Sequence, residues 1–520
     1  MSQRKLAKNI SIMSIAVLLS RILGLIRDQV MAFFFGASYL NDAFNVAYNI
    51  PNLLRRLFGE GALSAAFVPI YNEQGIKHGQ KAQLSFALNM LSLLTFALSV
   101  LTMLGIAFAP LIVKALYPGL APETSLIAIK LSRIVFPYLF FIGLSSTMIA
   151  ILNSHDLFFM TGLSSALLNI GMIASMVLPY LTWGYRGENL IIWSAWGVFV
   201  GGVLQTVVNL PYLRRLGYRF RFNLGIKSAE IKAMWSRFLP SMIGIGIREI
   251  NLVADTLMAS FLPIGSITAL GFGNRLMQLP LGVFAISAGT AILPIYSRNI
   301  AEKKYADISQ NLHFTSVSLS CVILPVTLII SVLGRDFVHI LFEHGSFDSK
   351  AALMTTQALV LYSLGLIFYS LNQTITPLFY ANKDTKTPVK IAAYMVSVNI
   401  ILNLVLMQFL QHRGLALSTS ITAVVNYLIL IKLLSHKIPE ISFGDTFINI
   451  GKAALICFVL YLPFSYVNSL FSFSTKLAII GKDILLSIAV FIIFFFFASL
   501  LRIPYLDKVR SQLWSRLVHR

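Results

Sequence analysis

Residues 478–502 read AIIGKDILLSIAVFIIFFFFASLLR, and from Ile484 to Leu501 the stretch holds no charged side chain. In a helix rising 1.5 Å per residue, about 20 such residues cross a bilayer core about 30 Å thick. Apolar windows of this kind recur along the chain, near 10–35, 39–74, 86–112, 125–152, 157–182, 190–212, 235–262, 268–296, 310–334, 352–380, 388–411, 415–435 and 447–471. With the quoted stretch they predict about fourteen spans. Composition points the same way: 57% of the 520 residues are hydrophobic and 12% are charged, where soluble proteins carry about 25% charge. An ordinary soluble enzyme is excluded. The expected fold class is an all-α polytopic membrane protein.

The first window follows Arg4, Lys5 and Lys8 as a signal peptide would, but Arg21 interrupts it and no small-residue cleavage site follows. A retained first helix is expected. The net charge is +21, which in such a chain reports inner loops and anionic lipid rather than nucleic acid. Sorting Lys and Arg by loop puts about 24 on the side of the N-terminus and about six on the other, which predicts both termini in the cytoplasm. The longest loops, 335–351 and 213–234, are too short for a folded domain, so function is expected within the membrane. Cys321 and Cys457 sit inside apolar runs and read as packing residues.

Phe67-Val68-Pro69-Ile70-Tyr71 is echoed by Ile292-Leu293-Pro294-Ile295-Tyr296 at an offset of 225 residues, and the same offset carries Asn49 onto Asn274. Six spans apart and equally oriented, these match what parallel transporter repeats leave behind; chance likeness between two apolar helices is the alternative. The expected organisation is two pseudo-symmetric six-helix lobes, 1–222 and 223–440, followed by 441–520 with two further helices and a basic tail.

The informative residues are charges where charge is costly. Arg21 and Arg27 fall in the first span, Arg55 and Arg56 in the second and Arg275 in the eighth. Four such arginines facing lipid would cost on the order of 10–14 kcal/mol, so they must face water, a counter-charge or a ligand. Asp42, Asn45, Asn49, Asn52, Arg56 and Glu60 recur at steps of three and four, one polar stripe on a membrane helix. Pro51 within it removes a backbone hydrogen bond and is expected to bend the helix. Arg21 and Arg27 stand about 120° apart and about 9 Å along the axis, within reach of one broad cavity. Guanidinium forks pair bidentately with phosphate, so the set suits a phosphate or pyrophosphate group. The alternative is internal pairing with Asp28, Asp42 and Glu60, although the acids do not cover all the bases.

Other bases carry less. Lys130, Arg133, Arg237, Lys452 and Lys482 read as snorkelling near helix ends, and Arg248 with Glu249 as a local ion pair. Asp255, Asn399, Asn403 and Thr419 form a candidate oxygen set for Na⁺ or a proton, with plain interhelical hydrogen bonding as the alternative. Phe491-Ile492-Ile493-Phe494-Phe495-Phe496-Phe497 reads either as lipid-facing surface or as a groove for an isoprenoid chain. No G-x-x-x-x-G-K-[ST], H-E-x-x-H or G-x-S-x-G occurs, and Gly271-Phe272-Gly273 lacks a third glycine. His339 and His344 read as solvated loop residues. No enzyme chemistry is indicated, and energy is expected from a gradient, the membrane potential or substrate consumption.

Ser20-Arg21-Ile22-Leu23-Gly24 with Arg27-Asp28, Asn41-Asp42-Ala43-Phe44, Pro51-Asn52-Leu53-Leu54-Arg55-Arg56 with Glu60-Gly61-Ala62, and Asn274-Arg275-Leu276 together resemble the MurJ (MviN) family of lipid II flippases. That family belongs to the multidrug/oligosaccharidyl-lipid/polysaccharide (MOP) exporter superfamily. The resemblance implies two lobes around a central cavity, with the last two helices forming a groove for the undecaprenyl tail. It implies a protein of the bacterial inner membrane that moves the peptidoglycan precursor to the outer leaflet by alternating access, in cell-wall biogenesis and the maintenance of cell shape.

On this resemblance Arg21, Arg27, Arg55 and Arg275, with Asn52, contact substrate. Ser20, Asp42, Arg56, Glu60 and Ser64 gate or support them. The family motif favours Arg55 over Arg56, whereas the stripe phase favours Arg56. Implied partners are lipid II, the bilayer and the cell-wall synthesis machinery. No cofactor or metal is implied beyond Na⁺ or H⁺ coupling or the membrane potential, and Asn403 stands where a second acid would hold a cation more strongly. An exporter of drugs or of another lipid-linked oligosaccharide is the nearest alternative, and a membrane-embedded glycosyltransferase a remoter one. A drug-cation exporter would line its cavity with acids, whereas the first lobe here is basic.

Overall fold

A computed structural model describes residues 3–58, 62–157, 159–219, 223, 228–471, 473 and 475–504. All regular structure among them is helical. In chain order the helices are α1 (Gln3–Phe35), α2 (Tyr39–Phe58), α3 (Ala62–Ala107), α4 (Ala109–Leu116), α5 (Pro122–Val135), α6 (Pro137–Ser154), α7 (Phe159–Trp183), α8 (Gly187–Val207), α9 (Leu210–Arg215), α10 (Ala229–Ser260), α11 (Ser266–Pro280), α12 (Ile286–Ala301), α13 (Tyr305–Leu341), α14 (Ser349–Leu364), α15 (Leu366–Ala381), α16 (Lys386–Leu410), α17 (His412–Lys437), α18 (Gly444–Leu470) and α19 (Lys476–Leu500). A π-helical turn, Leu281–Ala285, joins α11 to α12.

Several expected spans are assembled from pieces, and the breaks have local causes. The window at 39–74 is divided between α2 and the start of α3. α3 then runs on through the next window, with a kink at Gly79, whose φ of 81° lies in the left-handed region that glycine tolerates. Pro137 at the head of α6 separates it from α5, since proline has no N–H to continue the ladder. Gly365 sits between α14 and α15, which are bent by 41°. Among the described residues ten helices are long and apolar enough to cross a membrane, eleven with the bent pair. The three long helices outside that number, α1, α2 and α10, carry Arg21, Arg27, Asp28, Asp42, Arg55, Arg56, Glu249 and Asp255. With them the total reaches the expected fourteen, and the chain is a multi-pass membrane protein.

The chain forms two compact units: residues 1–268 with 344–347, and 269–343 with 348–520. The first boundary lies inside α11, after Thr268, so α10 packs with the first unit, where the lobe reading from sequence ended at 222. In the first unit α3 doubles back at Gly79 and stacks Phe67 on Phe86, ring centroids 5.4 Å apart, at the centre of a core with Tyr71, Met90, Leu94, Leu139 and Ile151. α7 and α8 approach through glycine: a Cβ on Gly171 would stand 3.1 Å from the Gly201 Cα, the close backbone contact that small residues permit between membrane helices. In the second unit α18 and α19 pack on α13 through an apolar cluster that includes both cysteines, Cys321 and Cys457, with Phe464, Val490 and Phe494. The phenylalanine run divides accordingly: Phe494 is buried, while Ile492 and Phe496 are exposed. The echoed segments share burial class at four of five positions, and their tyrosines, Tyr71 and Tyr296, are fully buried.

Candidate functional site

α2 is built as its stripe predicts, and within the first unit the polar face meets partners from α10 and the start of α11. Asp42, buried at 4% exposure, accepts hydrogen bonds from Gly265 N (2.6 Å), Thr268 N (2.9 Å) and Thr268 Oγ1 (2.7 Å). The carboxylate caps the N-terminus of α11, where unpaired N–H groups and the helix dipole favour negative charge. Asn45 Nδ2 donates to Thr268 Oγ1 (3.2 Å) and to Asn41 Oδ1 (3.3 Å), and Asn41 Nδ2 to Gly36 O (2.7 Å). The alternative in which Asp42 pairs with an arginine is not met: two backbone amides and the Thr268 hydroxyl occupy its carboxylate.

One helix turn beyond Pro51, Arg55 Nε donates to Asn52 Oδ1 at 2.8 Å. Arg56 Nη1 reaches Glu249 on α10, 3.1 and 3.3 Å from its two carboxylate oxygens. Sequence pairs Glu249 with the adjacent Arg248, whose side chain lies outside the described residues; among the described residues the partner of Glu249 is Arg56. Arg56 thus has a counter-charge, with 37% of its side chain exposed against 11% for Glu249. Glu60 and the side chain of Ser64 also lie outside the described residues.

On α1, Arg21 is exposed. Arg27 is 13% exposed and presents Nε and Nη2 to Asp28 Oδ1, at 3.2 and 2.9 Å. Among the described residues its remaining Nη1 faces the weak acceptor Sδ of Met172, at 3.9 Å. Internal pairing with Asp28, set against the anion-site reading above, is thus present, but it occupies one edge of the guanidinium. The Ser20 carbonyl accepts from Asn169 Nδ2 of α7 at 3.2 Å, which seats α1 against that helix. In the second unit Arg275 is exposed midway along α11.

The candidate cation residues fall in different units, Asp255 in the first and the others in the second. Asn251 Nδ2 donates to Asp255 Oδ2 at 3.4 Å. Asn403 Nδ2 donates to Asn399 Oδ1 (3.0 Å), Asn399 Nδ2 to Thr422 Oγ1 (3.4 Å), and Ser418 Oγ to Asn403 Oδ1. Thr419 Oγ1 turns to Leu415 O at 2.9 Å. The Asn399–Thr422 and Ser418–Asn403 bonds tie α16 to α17, the interhelical alternative given for Asn399 and Asn403, while the bonds of Asp255 and Thr419 stay within their own helices.

Two further readings change. Lys482 does not snorkel: with 8% of its side chain exposed, it donates to Asp336 Oδ2 of α13 and Asn468 Oδ1 of α18, each at 2.7 Å. His339 lies on α13 rather than in a loop, and its Nδ1 is 3.1 Å from Glu343 Oε2. Glu343 also receives Arg335 Nη1 (2.6 Å) and Ser349 Oγ (2.7 Å). Partial burial alone would raise its carboxyl, but these three donors outweigh it and hold it at about 2.

A family model described as lipid II flippase MurJ matches residues 31–481. The lipid II flippase MurJ of Burkholderia cenocepacia is 34% identical over 421 residues, 79% of this chain and 80% of its own. A solved structure described as the lipid II flippase MurJ in an inward closed conformation aligns with a TM-score of 0.78 and 28% identity over 98% of this chain and 99% of that one. An inward-facing multidrug resistance MATE family transporter of the MOP superfamily shares the fold, with a TM-score of 0.68 at 13% identity, over 83% of this chain and 98% of its own.

Proposed function

The chain belongs to the lipid II flippase MurJ family, and from that premise we propose that it carries the undecaprenyl diphosphate-linked peptidoglycan precursor to the outer leaflet of the bacterial inner membrane. It does so by alternating access, as a transporter and not as an enzyme. A lipid diphosphate cannot cross hydrocarbon unaided, because its charges would have to shed their water. Arginines within the membrane offer replacement contacts while the tail remains in lipid.

The observation that carries this reading is the state of α1. Asp28 grips one edge of Arg27 and holds the guanidinium in place, its Nη1 is left against a thioether, and Arg21 stands exposed along the same helix. A phosphate oxygen is a far better acceptor than that sulfur. Arg275 supplies a further exposed guanidinium on α11. With both termini cytoplasmic, as the loop charges favour, a membrane potential positive outside drives an anion outward by about 2.3 kcal/mol per charge per 100 mV.

The test is complementation in cells depleted of their own flippase, with the precursor measured on each leaflet. Arg21→Ala, Arg27→Ala and Arg275→Ala are expected to insert normally and to leave the precursor on the inner leaflet. Normal outward movement by all three variants would refute the proposal.

A further inference from the structure

A second feature lies away from these arginines, where α19 packs on α13. A groove of about 470 Å³ is lined by Phe337, Ile340 and Leu341 of α13 and by Ile484, Ile488 and Phe491 of α19, with Asp483 and Ser487 as polar members. Asp483 is 3% exposed, and among the described residues neither of its carboxylate oxygens receives a hydrogen bond. The Lys482 ammonium stands 3.4 Å from Oδ1 but is spent on Asp336 and Asn468. One ammonium therefore serves two carboxylates, Asp336 and Asp483, and with both ionised the three groups carry one negative charge in excess inside a membrane-spanning pair. Such a charge is expensive unless a cation or donor meets it.

We propose that this groove binds a phospholipid with an ammonium head group, Asp483 receiving the ammonium and the apolar walls an acyl chain. Three observations favour that occupant. The carboxylate calls for a cationic donor. Opposite it the groove is apolar and large enough for several methylenes, which a bare metal ion or a proton would leave empty. Asp483 also lies seven residues into α19, about 10 Å below the helix start, the depth at which a head group gives way to chains. With the cytoplasmic termini inferred from loop charge, this end faces the outer leaflet; the chemistry does not depend on that orientation. Nor does it rest on the precursor reading, since none of the arginines takes part.

The test uses the full-length protein in nanodiscs of phosphatidylglycerol, doped with either phosphatidylethanolamine or phosphatidylglycerol carrying the same diazirine in one acyl chain. Crosslinks are mapped by mass spectrometry. The ethanolamine probe is expected to label residues 480–491 about tenfold more than the glycerol probe, the value of one charge-assisted hydrogen bond. Asp483→Asn should bring the two to parity, and Ser487→Phe, which fills the groove, should lower both. Equal labelling of the unmodified protein by the two probes overturns the proposal and needs no variant to fold. Ethanolamine labelling that survives Asp483→Asn overturns it as well. So does displacement of the ethanolamine probe by undecaprenyl diphosphate, which would assign the groove to an isoprenoid tail.

Discussion

The carboxylate of Asp42 gives the sharpest stability test. Replacing it by alanine removes the acceptor of two backbone N–H groups and one hydroxyl at a site 4% exposed. A buried donor left without a partner costs about 1–3 kcal/mol, so the two backbone groups alone predict a loss of about 2–6 kcal/mol. Asp42→Asn keeps one acceptor oxygen and should cost less, about 1–2 kcal/mol. Thr268→Val removes the hydroxyl's bond to the carboxylate, about 1.5–3 kcal/mol because its acceptor is charged, together with the weaker bond that the hydroxyl accepts from Asn45 Nδ2, and leaves the backbone bonds in place. These effects share one carboxylate, so Asp42→Ala combined with Thr268→Val should cost less than the two singles added, with a coupling of about 1–3 kcal/mol. Denaturant unfolding in mixed micelles, followed by tryptophan fluorescence, measures all four corners of the cycle. Additivity within about 0.5 kcal/mol would refute the bond from the Thr268 hydroxyl, and a loss below about 2 kcal/mol in Asp42→Ala would refute the claim that Asp42 acts by capping α11.

Three other outcomes follow from the same geometry. Glu249→Gln should destabilise by about 1–3 kcal/mol by leaving Arg56 without its counter-charge, and adding Arg56→Gln should recover most of the loss in the same unfolding assay. Glu343 is held at about 2, below its unfolded value near 4.3. Its stabilisation is complete above the unfolded value and disappears as pH falls toward 2, so the thermal midpoint should fall between pH 5 and pH 3, and fall less in Glu343→Gln. Gly36, Gly345 and Gly184 all have positive φ, at 58°, 62° and 67°. A Cβ would strike Ser346 O at 2.1 Å from Gly36 and Phe33 O at 2.4 Å from Gly345, but nothing within 4 Å from Gly184. The midpoints of Gly36→Ala and Gly345→Ala should therefore drop well below that of Gly184→Ala, whose cost is the backbone strain of about 1 kcal/mol alone.

The number and the polar face of the spans were legible because both depend on local periodicity. The Asp42-to-Arg56 stripe required only the 3.6-residue repeat, and it is the face that meets α10 and the α11 terminus. Its partners were less accessible, since Gly265 and Thr268 lie more than 220 residues away and a backbone amide leaves no signature in composition. Helix breaks at Gly79 and Pro137 lay within reach of the usual turn residues, but a 20-residue window averages over them. Lys482 looked terminal because its partner, Asp336, lies on another helix 146 residues earlier.

Glu249 is the instructive case, because helix geometry already pointed to a partner on a neighbouring helix. Adjacent residues on a helix project about 100° apart and do not face each other. An acid on a span is therefore also worth matching to a base on a neighbouring helix. The base proves to be Arg56, the member of the Arg55–Arg56 pair that the stripe phase selects. The same rule applies in reverse to Arg27 and Asp28, which are adjacent and yet meet, because a long guanidinium can fold back along the helix to a short carboxylate. That fold spends Nε and Nη2 on Asp28 and leaves Nη1 with a sulfur. Hence Arg56→Lys should preserve stability, since one ammonium can still face Glu249, whereas Arg27→Lys should fail in transport although it keeps the charge, because an ammonium cannot serve Asp28 along one edge and present a second edge to phosphate. Precursor movement at the unmodified rate in Arg27→Lys would show that charge alone suffices and that the fork geometry has no part in binding.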